Sequence, residues 1–135
     1  MVKSKSKVTI IGAGFVGAST AFAMALNQIA NEIVLVDVNK EKAIGEAMDI
    51  NHGLSFVGEM SVYAGDYSDC ADSDVIVITA GLNRKPGETR LDLAKKNVAI
   101  AKDITSNIMK HYSHGVILVV SNPVDILTYK IQKWS

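Results

Sequence analysis

The sequence predicts an α/β fold, one parallel sheet doubly wound with helices on both faces. Three observations carry this. Short apolar runs alternate with longer segments of helical period along the 135 residues. The runs are continuous and β-branched, which suits strands buried on both faces. Strands of that kind separated by helices form parallel βαβ units, and right-handed crossovers then leave a doubly wound sheet.

Each element has a local reason. Val8-Thr9-Ile10-Ile11 is a short β-rich run that stops at a glycine. Phe15 to Ile29 is Ala-rich, with Val16, Ser19/Thr20, Ala23 and Leu26/Asn27 marking one face. Most of its other positions are apolar too, which predicts a helix buried nearly all round. Ile33–Val36 is a second strand and Lys40–Met48 a second helix. Ser61-Val62-Tyr63 is a weaker strand, and Val75–Thr79 a strong one. Ala94, Val98, Ala101, Thr105 and Ile108 step at the helix period. Val116–Val120 is the last strong run. Asn122-Pro123 stops it, and Val124–Lys133 reads as a helix with proline near its start.

Composition excludes several classes. Fourteen basic and 14 acidic side chains give zero formal charge, so there is no electrostatic reason to expect nucleic acid or an anionic membrane. One Cys makes no intramolecular disulfide, and a reducing, cytoplasmic setting is expected. No apolar run approaches the roughly 18 residues of a membrane span. After the basic start, Val8–Ile11 is too short for the apolar core of a signal peptide. Lys3, Lys5 and Lys7 are expected on a solvated, frayed end. The apolar share of 48% argues against disorder. With no repeat, linker or low-complexity stretch, residues 1–135 read as one domain.

Gly12-Ala13-Gly14-Phe15-Val16-Gly17 matches G-x-G-x-x-G between a strand and a helix, the context that gives the pattern meaning. The first glycine permits a tight turn, the second lets backbone approach a pyrophosphate, and the third lets helix and strand pack closely. The helix start supplies free N–H groups and partial positive charge for phosphates. Asp37 ends the second strand, where a carboxylate accepts both ribose hydroxyls and repels a 2′-phosphate. NAD is therefore expected over NADP, although Lys40 and Lys42 lie nearby. A plain tight turn, with Asp37 capping the next helix, is the competing reading. Thr79-Ala80-Gly81 ends the fourth strand, and small residues there let a cofactor lie against backbone. Leu82–Arg90 is a polar loop around Pro86-Gly87 beside the expected crevice. Arg84 and Arg90 in it fit a lid that binds carboxylates and polarises a carbonyl, although by composition alone a solvated basic loop is the favoured reading.

Together with Gly45-Glu46-Ala47-Met48-Asp49, Lys85-Pro86-Gly87-Glu88-Thr89-Arg90-Leu91-Asp92-Leu93 and Ser121-Asn122-Pro123-Val124-Asp125, the glycine loop resembles that of bacterial L-lactate dehydrogenases. The wider family includes malate dehydrogenases of the same fold. The resemblance runs from about Lys7 to Trp134. It implies a Rossmann domain with strand order 3-2-1-4-5 and a cofactor set of Gly12, Ala13, Gly14, Phe15, Val16, Gly17, Asp37, Thr79, Ala80, Gly81, Val120 and Asn122. It further implies that Arg90 polarises the substrate carbonyl, and that Asn122 contacts substrate and the nicotinamide ribose. The partners it implies are NAD(H), a small 2-hydroxy or 2-oxo acid, and further copies of the parent chain. No metal is implied.

Arg84 departs from the pattern. It stands where lactate enzymes often carry Gln and malate enzymes carry Arg, which would pair a second carboxylate. The surrounding Gly-Glu-Thr-Arg-Leu-Asp-Leu points to lactate, and the longer string is given the greater weight. The family's His–Asp proton donor, its carboxylate-gripping arginine and its sixth strand have no counterpart in these residues. Negligible turnover and an exposed sheet edge at Val116–Val120, open to self-association, are the expectations. His52, His111 and His114 are expected at the surface or at helix ends. Cys70, among acids and without a basic neighbour, is expected to be inert. Met24, Met48, Met60 and Met109 are expected in packing, and Trp134 against a segment beyond this sequence.

Overall fold

The computed structural model describes residues 6–54 and 58–135. Five strands and four α-helices follow in order: β1 (Lys7–Ile11), α1 (Phe15–Leu26), β2 (Glu32–Val36), α2 (Lys40–Leu54), β3 (Ser61–Ala64), a 3-10 helix (Tyr67–Asp72), β4 (Val75–Ile78), α3 (Arg90–Met109), β5 (Val116–Val119) and α4 (Val124–Trp134). All strand pairs are parallel and their order is β3-β2-β1-β4-β5, as expected.

The sheet has two apolar faces because its side chains alternate. On one face Ile10, Leu35 and Val77, aligned in register, meet Ala21 and Ala25 of α1 and Ala43, Ala47 and Ile50 of α2. On the other, Ile11, Val36 and Ile78 meet Ala101, Ile104 and Ile108 of α3 and Leu127 and Ile131 of α4. Continuous apolar runs in β1, β2 and β4 are the consequence of this double burial. On β5, Val116 and Leu118 are exposed and Ile117 and Val119 half-buried.

Several expectations change. Helix α1 is not buried all round: only Gly17, Ala21 and Ala25 are, and Phe15 is 93% exposed. The four-residue spacing of small residues brings the helix axis close to the sheet and turns the large side chains outward. It ends at Leu26, short of Ile29, where Asn27 Nδ2 takes the Ala23 carbonyl and Gln28 adopts φ 51°. Helix α2 runs past Met48 to Leu54, because Ala43, Ala47, Ile50 and Leu54 keep one buried stripe; Met48 itself is exposed, while Met24, Met60 and Met109 pack.

Lys7 is not a frayed tail residue. It opens β1, is buried, and its Nζ meets Asp72 at 2.6 Å and Asp69 at 3.2 Å, while its N–H donates to Asp74. Burial disfavours its ammonium, but the hydrogen bonds to Asp72 and Asp69 outweigh that and hold it above the ordinary lysine range. Lys3 and Lys5 lie outside the described residues. Trp134 packs, partly buried, on the α3–α4 core.

Candidate functional site

The site is built where strand order reverses between β1 and β4, at the carboxyl ends of the strands. Gly12 leaves β1 with φ 109°, and a Cβ there would lie 2.7 Å from the Ala80 nitrogen. Glycine loop and β4 exit therefore touch backbone to backbone. Thr79 Oγ1 locks that contact by donating to the Gly12 carbonyl at 3.0 Å. A Cβ on Gly17 would sit 1.8 Å from the Gly12 carbonyl oxygen, so the first turn of α1 lies directly on the loop. Gly14 faces open space and caps α1 without a side-chain hydrogen bond. The first N–H groups of α1 are thus left without a side-chain cap, the arrangement that suits an anion.

Asp37 ends β2 half-buried. Its Oδ2 accepts the Ala13 N–H at 2.7 Å and its Oδ1 the Asn39 N–H at 2.9 Å. The start of α2 is capped by Asn39, whose Oδ1 accepts from Lys42 N. Asp37 instead ties the end of β2 to the glycine loop, and each oxygen keeps lone-pair capacity for a further donor.

A cleft of about 580 Å³ opens here, within the range of ligand sites. Its walls include Ile11, Gly12 and Gly14, Asp37, and Thr79, Ala80 and Gly81. Ala13, Phe15, Val16, Gly17, Val120 and Asn122 lie outside these walls. Lys42 and Leu82, expected nearby, also line the cleft, whereas Val38, Tyr67, Ala99, Ile100, Asp103 and Ile104 were not foreseen here. Ile104 was missed although it is buried on the inner face of α3. Val38 follows β2 next to Asp37, while Tyr67 of the 3-10 helix and Ala99, Ile100 and Asp103 of α3 carry no local signature, since only tertiary packing brings them here. Burial, reinforced by the Asp103 charge, pushes the Tyr67 phenol up to about 12, so it stays a neutral donor.

Beyond the cleft, Val120 N–H donates to Ile78, and Ser121 Oγ to Ala80 O at 2.7 Å. Asn122 is exposed and precedes a cis bond to Pro123. Its carbonyl accepts from Asn97 Nδ2 at 2.8 Å. The arginine loop leaves the cleft wall at Leu82 and ends at Thr89, which forms a capping box with Asp92 at the start of α3. Arg90 is thereby the first residue of α3. Glu88 braces the loop, accepting from Lys85 N at 3.0 Å and pairing with Lys96. Arg84 and Arg90 are exposed and off the cleft walls; Arg84 lines a separate shallow pocket with Lys85–Glu88.

His52 lies within α2, not after it, and all three histidines are exposed. His111 and His114 precede β5, at the sheet end opposite the cleft. Burial pushes the Cys70 thiol up to about 11, consistent with an inert residue. Its acidic neighbours are employed locally: Asp66 caps the 3-10 helix, and Asp69 and Asp72 hold Lys7.

A doubly wound sheet with a glycine loop, an acid closing the second strand and a cleft at the switch point defines a dinucleotide-binding domain. Residues 6–135 match the family model described as lactate/malate dehydrogenase, NAD binding domain. The chain belongs to the lactate/malate dehydrogenase family, as its NAD-binding domain, and its cofactor is NAD. An L-lactate dehydrogenase of Priestia megaterium is 60% identical over 129 residues, 96% of this chain and 41% of that protein. The solved L-lactate dehydrogenase of Clostridium thermocellum is 71% identical with a TM-score of 0.83, covering 97% of this chain and 42% of that one. A malate dehydrogenase of Archaeoglobus fulgidus, solved in complex with NADH, is 46% identical with a TM-score of 0.90, covering 96% and 45%. The chain thus spans about two-fifths of the length of these relatives. Among the described residues no helix is long and apolar enough to cross a membrane.

Proposed function

We propose that residues 1–135 are the single NAD-binding domain of a cytoplasmic, homo-oligomeric 2-hydroxy-acid dehydrogenase that interconverts L-lactate and pyruvate. The observation that carries this reading is the cleft in which Gly12, Gly14 and Asp37 converge, at whose wall the arginine loop begins. In this reading the Gly12–Gly17 loop and the α1 N-terminus take the pyrophosphate. Asp37 takes the adenosine ribose hydroxyls, and Thr79, Ala80, Gly81 and Val120 lie against the cofactor. NADH, when bound, supplies the hydride. Arg90 moves in with the loop and stabilises negative charge developing on the substrate carbonyl oxygen. Asn122 orients substrate and the nicotinamide ribose.

The Arg84 guanidinium favours a second reading, in which the substrate is oxaloacetate and Arg84 pairs its second carboxylate. The test is the ratio of kcat/KM for pyruvate to that for oxaloacetate in the intact enzyme. A ratio well above one supports lactate; a ratio well below one transfers the assignment to malate.

The 135 residues alone are expected to bind NADH with negligible turnover. Carbonyl reduction needs a placed proton donor, and His111 and His114 lie at the far end of the sheet. Calorimetric titration of the purified chain with NADH, followed by an assay of lactate-dependent NAD reduction, tests both statements. Absent binding would mean the site needs more protein to form; turnover near that of intact enzymes would reject the proposed inactivity.

A further inference from the structure

Asn97 lies inside α3, seven residues after Arg90, with 3% of its surface exposed. A buried amide is costly unless its polar atoms are matched. Here they are: Oδ1 accepts the Leu82 N–H at 2.9 Å, and Nδ2 donates to Leu82 O at 3.3 Å and Asn122 O at 2.8 Å. Its amide also bounds the space beside Gly81, where a Cβ would meet it at 3.5 Å. One side chain therefore joins three segments: the root of the arginine loop, the helix that begins with Arg90, and the backbone of Asn122.

We infer that Asn97 is a positioning residue, which clamps both ends of the 82–90 loop to the backbone of Asn122 and so sets Arg90 and Asn122 relative to one another. This rests on the dehydrogenase reading above. Leu82 and Asn97 are tied to one another, so closure that carries Arg90 inward must flex the chain between Asn83 and Lys96. The chemistry selects asparagine. Aspartate keeps the acceptor but loses both donations. Alanine leaves the Leu82 N–H, the Leu82 carbonyl and the Asn122 carbonyl without this partner.

The variants Asn97→Asp and Asn97→Ala, made in the intact protein, test this by two independent readouts. The first is hydrogen exchange at the Leu82 amide, which needs no substrate. It is expected to speed up strongly in Asn97→Ala while amides of β1 keep their protection. The second is kinetics with whichever 2-oxo acid the wild type prefers. Misplacement of the two substrate-facing groups should lower kcat/KM on the order of 100-fold, mostly in kcat, with NADH affinity held within about twofold. In Asn97→Asp the loss should shrink as pH falls and protonation returns a donor. Unchanged Leu82 exchange overturns the clamp. So does wild-type-like kcat/KM, or an equal fall in NADH affinity, which would mark a general packing role. If the wild type reduces neither pyruvate nor oxaloacetate, the dehydrogenase reading fails, and Leu82 exchange alone still decides the clamp.

Discussion

The carboxylate of Asp37 accepts the Ala13 N–H at 2.7 Å, joining the end of β2 to the middle of the glycine loop. The acid expected to read the ribose therefore also shapes the loop expected to hold the phosphates. Asp37→Ala removes an ionised acceptor worth about 2 kcal/mol per hydrogen bond. NADH affinity should fall at least 10-fold and discrimination against NADPH should weaken. Calorimetry with both nucleotides checks this, and unchanged NADH affinity would sink the assignment of Asp37.

Two glycines of one loop should fail differently. Gly17→Ala drives a methyl into the Gly12 carbonyl, 1.8 Å away, and should destabilise the chain by about 1–3 kcal/mol or more. Gly14→Ala meets nothing within 4 Å, so melting should be nearly unchanged while nucleotide binding falls. Equal melting losses in both variants would show that Gly14 is structural as well.

Arg84→Gln removes the charge that favours a second carboxylate. The ratio of kcat/KM for pyruvate over oxaloacetate should rise on the order of 10-fold or more. An unchanged ratio would mean that Arg84 stays in solvent when substrate is bound.

Burial raises the Cys70 thiol from an ordinary 9.0 to about 11. The folded chain therefore holds this proton more tightly than the unfolded one. Its contribution is fully present below pH 9 and is lost as pH rises towards 11. Tyr67, raised from 10.0 to about 12, acts in the same direction at higher pH. Melting temperature should fall through this window, and Cys70→Ala should flatten the part between 9 and 11. At pH 8 a disulfide reagent should react with Cys70 only on unfolding; rapid labelling of the native chain would contradict its burial.

The strand β5 borders the sheet, with Val116 62% and Leu118 51% exposed. Such an edge templates pairing with another chain. The 135-residue chain should self-associate in sedimentation, and Leu118→Lys should shift it towards monomer. A monomer at all concentrations would exclude edge pairing.

The doubly wound parallel fold class, the glycine loop and Asp37 were legible in the residues, whereas the strand order came only through the family resemblance. The first three depend on local demands: continuous apolar runs for doubly buried strands, a φ only glycine tolerates at Gly12, and an acid at a strand end. The tertiary structure alone decided which face of α1 is buried, because an Ala-rich helix carries almost no directional pattern. It also turned Lys7 from a tail residue into a buried cation, since Asp69, Asp72 and Asp74 lie more than 60 positions away in sequence. Tyr67 and Asp103 reach the cleft, and Asn97 reaches Leu82 and Asn122, by packing of α3 against the sheet. Contacts of that kind join residues whose spacing obeys no period, so they become visible only when the chain is folded.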